Sequence, residues 1–221
     1  CSRWELSPLW WFGAVLVGLL YFLAPERRWR HIQITVCAAV AVLLISHVLT
    51  ELTPEQIEAL VDQAANAQCV IWVEPGTYAA SLTVIAVRER LRGRFNVVAP
   101  CTHQERCGLL APGNERHWCH HFASPPPAVF TEGNWSRFAI QMGIDLRDLP
   151  LSFLVLDRRP TTSGPPGAGR VLGHPRIYKG HALLLGCDAS GVRDRKLTKR
   201  HFPLEFRALK KGAADVLCEW K

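Results

Sequence analysis

Several motifs that carry hydrolytic or nucleotide chemistry are absent from these 221 residues. The sequence has no Walker phosphate loop, no His-Glu-x-x-His motif and no Ser/His/Asp arrangement of a catalytic triad. These absences argue against an NTPase or a hydrolase. No internal repeat is present either. The eight cysteines are unevenly spread and do not outline small disulfide-stapled loops, so the chain lacks the pattern of a small secreted protein.

Three of the cysteines lie in one short stretch, as Cys101, Cys107 and Cys119. Thiolates that converge on one loop can bind zinc or an iron–sulfur cluster. Neither the paired Cys-x-x-Cys spacing of zinc ribbons nor the ferredoxin spacing is present. The residue types leave three interpretations open: a metal site with zinc favoured, three separate buried thiols, or a disulfide pair. The histidines that favour zinc are His103, His117, His120 and His121.

The middle of the chain alternates between strand and helix. Apolar runs at 41–46, 69–73 and 95–99 predict buried strands. Thr53-Pro54-Glu55-Gln56 is the start signal of a helix with Thr53 as its N-cap, and residues 80–91 predict a second helix. This β-α-β-α-β order predicts an α/β fold with a doubly wound sheet and right-handed crossovers.

The cysteine loop contains Pro100-Cys101-Thr102-His103, then Cys107, then Trp118-Cys119-His120-His121-Phe122. This order resembles the signature of the methyltransferase-like assembly proteins of the small ribosomal subunit, which are known from mitochondria and bacteria. Other blocks are similar to the same family in the same order, and the resemblance covers about residues 40–215. These blocks are 44–52, Glu74-Pro75-Gly76-Thr77, 153–159, and 179–181 with Cys187.

The resemblance implies a Rossmann-like, class I methyltransferase-type sheet whose N-terminal part is divergent or truncated, followed by a small C-terminal β appendage. It also implies a [4Fe–4S] cluster, with zinc as the alternative metal. Cys187 follows the apolar run 183–186, which predicts a strand that ends in a turn. The ligands that the resemblance implies are Cys101, Cys107, Cys119 and Cys187.

Methyl transfer depends on a donor site that the sequence does not display. S-adenosylmethionine would lie against a Gly-rich turn after the first strand, where backbone amides approach it closely. No Gly-x-Gly-x-Gly occurs before Ser46. The family implies methyltransferase activity if the donor site is intact, and a non-catalytic RNA-binding assembly factor is the alternative. His47, Glu51 and Glu74 lie at carboxyl ends of strands, where open α/β sheets bind ligands, but none receives a catalytic role.

Positive charge is concentrated in the last third of the chain. Residues 151–221 hold 14 basic and 6 acidic side chains, whereas residues 1–150 hold 12 basic and 13 acidic ones. This asymmetry predicts a polyanion partner, and RNA suits a ribosome-related family. A solvated basic face without a partner is the alternative. Because no RRM-type stacking motif accompanies the charge, we expect recognition of phosphate and shape. The candidate RNA-binding residues are Arg158, Arg159, Arg195, Lys196, Lys199 and Arg200.

Three segments follow from these patterns. Residues 1–39 form a divergent apolar segment, 40–150 the methyltransferase-like core with the cysteine loop 97–122, and 151–221 a basic β-rich appendage. Residues 160–169 have the composition of a surface loop and are expected to be an insertion in a hairpin.

The N-terminal part supports a rival interpretation. Two charge-free runs, 6–25 and 32–50, are each long enough to span a bilayer. A membrane-anchored zinc-binding protein is therefore the alternative from another class, although a buried segment is favoured. The favoured interpretation is a monomer that acts with the small ribosomal subunit and its rRNA. Its expected location is the cytoplasm of a bacterium, or alternatively the mitochondrial matrix.

Overall fold

Two β-sheets organise the part of the chain that the structure describes. This structure, a computed structural model, describes residues 42–123, 125–160 and 167–211, and the backbone of residues 217–219. All of them belong to one compact unit that begins at Val42. The apolar segment predicted for 1–39 and the bilayer-length run 6–25 lie outside the described residues.

The first sheet is mixed. Its strands lie in the order β1-β2-β5-β3, and β4 pairs with one end of β5. β1 is parallel to β2, whereas β5 is antiparallel to both β2 and β3, so β1, β2 and β3 share one direction. The strands are β1 (Val42–Ser46), β2 (Cys69–Pro75), β3 (Asn96–Ala99), β4 (His121–Phe122) and β5 (Pro150–Asp157).

The predicted strand and helix order is confirmed along this sheet. Helix α1 (Pro54–Ala64) joins β1 to β2, and α2 (Tyr78–Leu91) joins β2 to β3. Thr53 forms the predicted capping box with Gln56, each side chain accepting a backbone N–H of the other residue. Helix α2 begins two residues before the predicted start, because Thr77 caps it by accepting from the Ala80 N–H.

A doubly wound sheet made only of crossover units is not confirmed, because β5 runs antiparallel between β2 and β3. The burial pattern of a strand shows which faces are covered but carries no information on direction. The centre of the sheet is nonetheless the core of the unit. Its most deeply buried apolar side chains include Val70, Trp72, Val97, Leu154 and Leu156.

The second sheet is antiparallel, in the order β8-β7-β6-β9. β5 belongs to the first sheet and β6, which begins at Ala168, to the second; between them, residues 161–166 lie outside the described residues. The predicted hairpin insertion is therefore wrong, because composition marks a loop without showing which strands it connects. The strands are β6 (Ala168–Ile177), β7 (His181–Asp188), β8 (Gly191–Thr198) and β9 (Leu217–Glu219).

The remaining helices are shorter. α3 (Ala128–Thr131) packs against α4 (Gly133–Met142), and α5 (Pro203–Lys210) follows β8. Among residues 42–211 as described, no helix is long and apolar enough to cross a membrane. The second charge-free run, 32–50, includes β1, so its described part contributes a strand to the first sheet and is not a membrane helix.

Candidate metal centre

The structure brings together the four cysteines that the family resemblance selects. Cys107 and Cys187 are buried in one apolar cluster, and Cys119 packs against it. Cys101 lines a cavity together with Cys107 and Cys119. None of the four is in a disulfide. They come from four separate segments: the end of β3, the start of a short 3-10 helix (Gly108–Leu110), the approach to β4, and β7.

Hydrogen bonds from α2 and β5 fix the backbone of the cysteine loop. The Cys119 N–H donates to Ser81 Oγ at 2.9 Å, and the Cys119 carbonyl accepts from the Ser152 hydroxyl. The Cys107 N–H donates to the carboxylate of Glu89 at 3.0 Å. Side chains from two different elements therefore hold two of the thiol-bearing residues in place.

Two glycines allow the second sheet to approach the cysteine loop. A Cβ on Gly108 would lie 2.8 Å from the Gly191 Cα, so the 3-10 helix touches the β7–β8 turn. A Cβ on Gly173 would lie 2.8 Å from His120 Nε2, and the Gly173 N–H donates to the His120 carbonyl at 3.0 Å. A side chain at Gly108 would clash with the backbone at the start of β8, next to the strand that carries Cys187, whereas a side chain at Gly173 in β6 would displace the His120 ring. The sequence contains no local signal for these contacts.

Burial raises the pKa of all four thiols. Charge repulsion between the thiolates raises these pKa values further. It acts on Cys119 from the other three thiols, and on Cys187 from Cys101 and Cys107. The pKa of Cys187 rises to about 12. Without a bound cation these groups therefore keep their protons at neutral pH. Metal binding would release those protons, because the ligand form is the thiolate.

Two arginines place positive charge at the thiols. Arg88 is only 2% exposed, and its Nε donates to Cys101 Sγ at 3.2 Å. Its other nitrogens donate to the loop carbonyl of Glu105 at 2.7 Å and to the Glu89 carboxylate. The guanidinium of Arg170 interacts electrostatically with the thiols of Cys101, Cys119 and Cys187. The surroundings therefore favour a group that carries negative charge.

Two buried histidines near the thiols have unpartnered nitrogens. Neither ring nitrogen of His103 has a hydrogen-bond partner among the described residues, and the same holds for Nδ1 of His121. His121 Nε2 lies 3.5 Å from Cys119 Sγ. Burial lowers the pKa of both rings, for His121 to about 3, so both are neutral at pH 7. A neutral imidazole is the form that binds metal.

The other two histidines that favoured zinc in the sequence are occupied elsewhere. His117 Nε2 accepts from Arg116 Nε at 3.1 Å, and the ring of His120 stacks on Trp118 with centroids 4.5 Å apart. Within the described residues, no three His, Cys, Asp or Glu side chains form a group that could hold a single metal ion.

A family model described as mitochondrial small ribosomal subunit Rsm22 matches residues 24–214. The chain belongs to this family. The matched segment includes all four clustered cysteines and the basic residues of β8. No curated protein matches the chain. The expected relation to small-ribosomal-subunit proteins is thereby confirmed at the level of the family, whose description is mitochondrial.

The acidic and histidine residues at the strand ends of this Rsm22-family chain have structural partners. Glu74 is fully buried and accepts from the Trp72 indole at 2.8 Å and from the Val48 N–H at 3.2 Å. It therefore ties β2 to the segment after β1. Ser46 Oγ lies 2.8 Å from His47 Nδ1, and Glu51 accepts from the Thr50 hydroxyl.

The six candidate RNA-binding residues divide into two groups. Arg158 donates to the Ala67 carbonyl at 2.8 Å and lies over the Phe95 ring. Arg159 pairs with Asp157, and Arg195 with Asp188. The sequence could not separate these arginines from the others, since their partners are set by tertiary contacts or by strand geometry. The second group differs in forming no ion pair within the described residues, and all its members are exposed; it comprises Lys196, Lys199 and Arg200.

Proposed function

We propose that this chain associates with the small ribosomal subunit through its RNA and carries a [4Fe–4S] cluster on four thiols. The family match supports the first part. The second part rests on one observation, the convergence of four free thiols from four segments of the chain. The proposed ligands are Cys101, Cys107, Cys119 and Cys187.

The donor set favours a cluster over a single ion. Four thiolates are the usual ligand set of a [4Fe–4S] cluster, which holds its ligands farther apart than one zinc ion does. Cys101, Cys107 and Cys119 line one cavity, and Cys187 packs in the same apolar cluster as Cys107, so all four thiols approach one place. Arg88 and Arg170 would balance the net negative charge of a thiolate-bound cluster. Zinc is the second candidate, because His121 Nε2 lies 3.5 Å from Cys119 Sγ and both nitrogens of the buried His103 are unpartnered within the described residues.

The role that these positions support is structural. When bound, the cluster would join the cysteine loop to β7. The four residues would thereby link the first sheet to the second, across a chain segment of roughly 70 residues between Cys119 and Cys187. Closing a loop of that length restricts the unfolded chain, and the entropy model puts the stabilisation on the order of 4 kcal/mol.

Methyl transfer is not needed for this proposal. In the first sheet β1, β2 and β3 share one direction with β5 between the last two, in line with the later half of a methyltransferase-type sheet. S-adenosylmethionine would need a Gly-rich turn on an earlier strand. We therefore assign no catalytic residue and favour a role in assembly of the small subunit, with methyl transfer as a prediction that depends on a donor site.

The cluster is tested by anaerobic purification. We expect a brown protein that contains iron and sulfide in equal amounts and absorbs broadly near 400 nm, the general region of thiolate-to-iron charge transfer. Replacing any one of the four ligands by serine should abolish the colour. Cys69→Ser is the matched control, since Cys69 is a buried free cysteine in β2 outside this group. A colourless protein that contains one equivalent of zinc would exclude the iron–sulfur cluster.

The ribosomal part is tested separately by sedimentation of the full chain with isolated small and large subunits. We expect co-sedimentation with the small subunit that weakens as salt rises, because neutralised phosphates release counterions. Equal binding to both subunits, or no binding to either, would contradict the proposed association with the small subunit. The ligand variants and this assay are independent, so either part of the proposal can fail alone.

A further inference from the structure

A stacked pair of rings lies at the turn between β6 and β7. The rings of Tyr178 and His181 lie 4.7 Å apart, with an angle of only 12° between their planes. The Tyr178 N–H donates to the His181 carbonyl at 2.8 Å, which closes the turn through Lys179 and Gly180. Tyr178 nevertheless remains 47% exposed. A large aromatic side chain is thus held in place by the turn while much of its surface faces solvent.

The end of β8 brings basic side chains to the same turn. Strand pairing places His181 opposite Thr198 and Leu183 opposite Lys196. The Lys199 N–H then donates to the Gly180 carbonyl at 2.9 Å, so the segment after β8 lies against the β6–β7 turn. The basic residues gathered there are Lys179, Lys196, Lys199 and Arg200.

These four basic residues are exposed, and none forms an ion pair within the described residues. Other arginines of the sheet have partners: Arg176 pairs with Asp194 at 2.8 Å, and Arg195 pairs with Asp188 at 2.8 Å. Asp188 and Asp194 therefore compensate other cations, and the positive charge at the turn is left for a ligand. We call Tyr178, His181 and the four basic residues the aromatic tip.

We propose that the aromatic tip binds single-stranded RNA, with a base stacked on Tyr178 and the adjoining phosphates bound by Lys179, Lys196, Lys199 and Arg200. This inference rests on the proposed association with ribosomal RNA and specifies the kind of RNA. An exposed aromatic ring can stack on an unpaired base, whereas the bases of a duplex are already stacked on each other. The sequence predicted recognition of phosphate and shape alone, because an isolated tyrosine carries no motif.

Base stacking on Tyr178 and phosphate binding by the basic residues should each have a measurable effect on RNA affinity. Stacking of one base on an aromatic ring is worth about 1–3 kcal/mol by alanine substitution, which corresponds to roughly 5- to 150-fold in affinity. Each lost phosphate contact to a single strand should reduce the slope of log affinity against log salt by about 0.7. Stacking and charge can thus be separated, because removal of the ring should lower affinity at every salt concentration without changing the slope.

The experiment uses the full chain and a short single-stranded oligoribonucleotide of mixed sequence, with its duplex as the comparison. Tyr178→Ala should weaken binding of the single strand about tenfold at unchanged salt slope. Tyr178→Leu should do the same, since leucine restores apolar volume without a stacking face, whereas Tyr178→Phe should bind like the parent chain. Lys199→Ala combined with Arg200→Ala should lower both affinity and slope, and the control Arg193→Ala, on a more distant part of β8, should not.

Unchanged affinity of a folded Tyr178→Ala chain would overturn the proposal, as would equal binding of duplex and single strand. If only the charge variants lose affinity, stacking is excluded while the proposed ribosomal association stands. Binding to vesicles of anionic lipid with none to RNA would also overturn it. Failure of the parent chain to sediment with small subunits, by contrast, concerns the proposed function itself. Near-ultraviolet circular dichroism and thermal unfolding of each variant establish that it is folded.

Discussion

The two ends of β7 lie in opposite environments. At one end Cys187 is 8% exposed and packs with Cys107, close to compensating guanidinium groups. At the other end His181 stacks on an exposed tyrosine, and the neighbouring basic side chains are unpaired within the described residues. One strand of eight residues thus connects a buried thiol pocket to an exposed basic surface.

The difference between the two ends comes from what packs on them. Gly108 of the cysteine loop contacts Gly191 at the start of β8, near Cys187. Gly173 of β6 contacts His120 of the same loop. Once covered, charged groups there must be paired, because an uncompensated buried charge is costly. At the aromatic tip water screens the charges, so they can remain unpaired until a ligand binds. The buried Arg88 is held by Cys101 and Glu89, whereas the exposed Lys196 and Lys199 have no ion pair within the described residues.

The largest effect on stability is expected at Arg88, on the buried side. Arg88→Met removes hydrogen bonds to the Cys101 thiol and to the loop carbonyl of Glu105, and leaves Glu89 with the more exposed Arg92 as its remaining arginine partner. We expect a loss of about 3 kcal/mol in the free energy of unfolding. Arg90→Met, two residues away on α2, removes exposed pairs with acidic residues of α1 and should cost about 0.5 kcal/mol. Urea denaturation of both apo variants provides the measurement.

A similar loss for both arginines would contradict the contrast between buried and exposed charge. Arg88→Lys provides a further check. Lysine keeps the charge but cannot reproduce the forked hydrogen bonds of a guanidinium, so most of the loss should remain.

A second effect concerns the pH dependence of the apo protein. Burial raises the pKa of Cys187 from its ordinary value of 9 to about 12. Because the folded state holds this proton more tightly than the unfolded state, its contribution is fully present below pH 9 and is lost as pH rises from about 9 to about 12. At pH 10 we expect Cys187 alone to account for about 1.4 kcal/mol of lost stability.

Denaturation of the parent apo chain and of Cys187→Ser at pH 8 and pH 10 isolates this contribution. The serine variant should lose less stability between the two pH values than the parent. The metal-loaded parent should lose less as well, since bound thiolates have already released their protons. Identical pH profiles for apo parent and variant would show that Cys187 is not buried in the apo protein.

The smallest effect on the free energy of unfolding is expected at the aromatic tip. Lys199→Ala removes an unpaired, exposed charge and should change the free energy of unfolding by less than about 0.5 kcal/mol. Arg158→Ala, by comparison, removes hydrogen bonds to backbone carbonyls and a contact with the Phe95 ring, and should cost about 1–2 kcal/mol. Thermal unfolding of both variants measures the difference. A stability loss at Lys199 as large as that at Arg158 would assign Lys199 a structural role.

Local features of the fold were predictable because their causes lie within a few residues. The capping box of Thr53 and Gln56 and the apolar strand 69–73 were both read from neighbouring residues, and both are confirmed. The antiparallel direction of β5 was not predictable, since the same burial pattern fits either direction. The candidate ligand Cys187 came only from the family resemblance, because nothing local distinguishes it from an ordinary core cysteine.

The sequence by itself determined where the strands and helices between residues 42 and 99 occur, where positive charge accumulates and which family the chain resembles. Only the tertiary structure decided that four thiols from distant segments come together, that Arg158 and Arg195 have partners in the protein, and that Tyr178 stacks on His181 beside Lys199. The physical reason is the range of the interactions. Capping and periodicity act over one or two helical turns, whereas strand register and close glycine contacts join residues that are far apart in the chain.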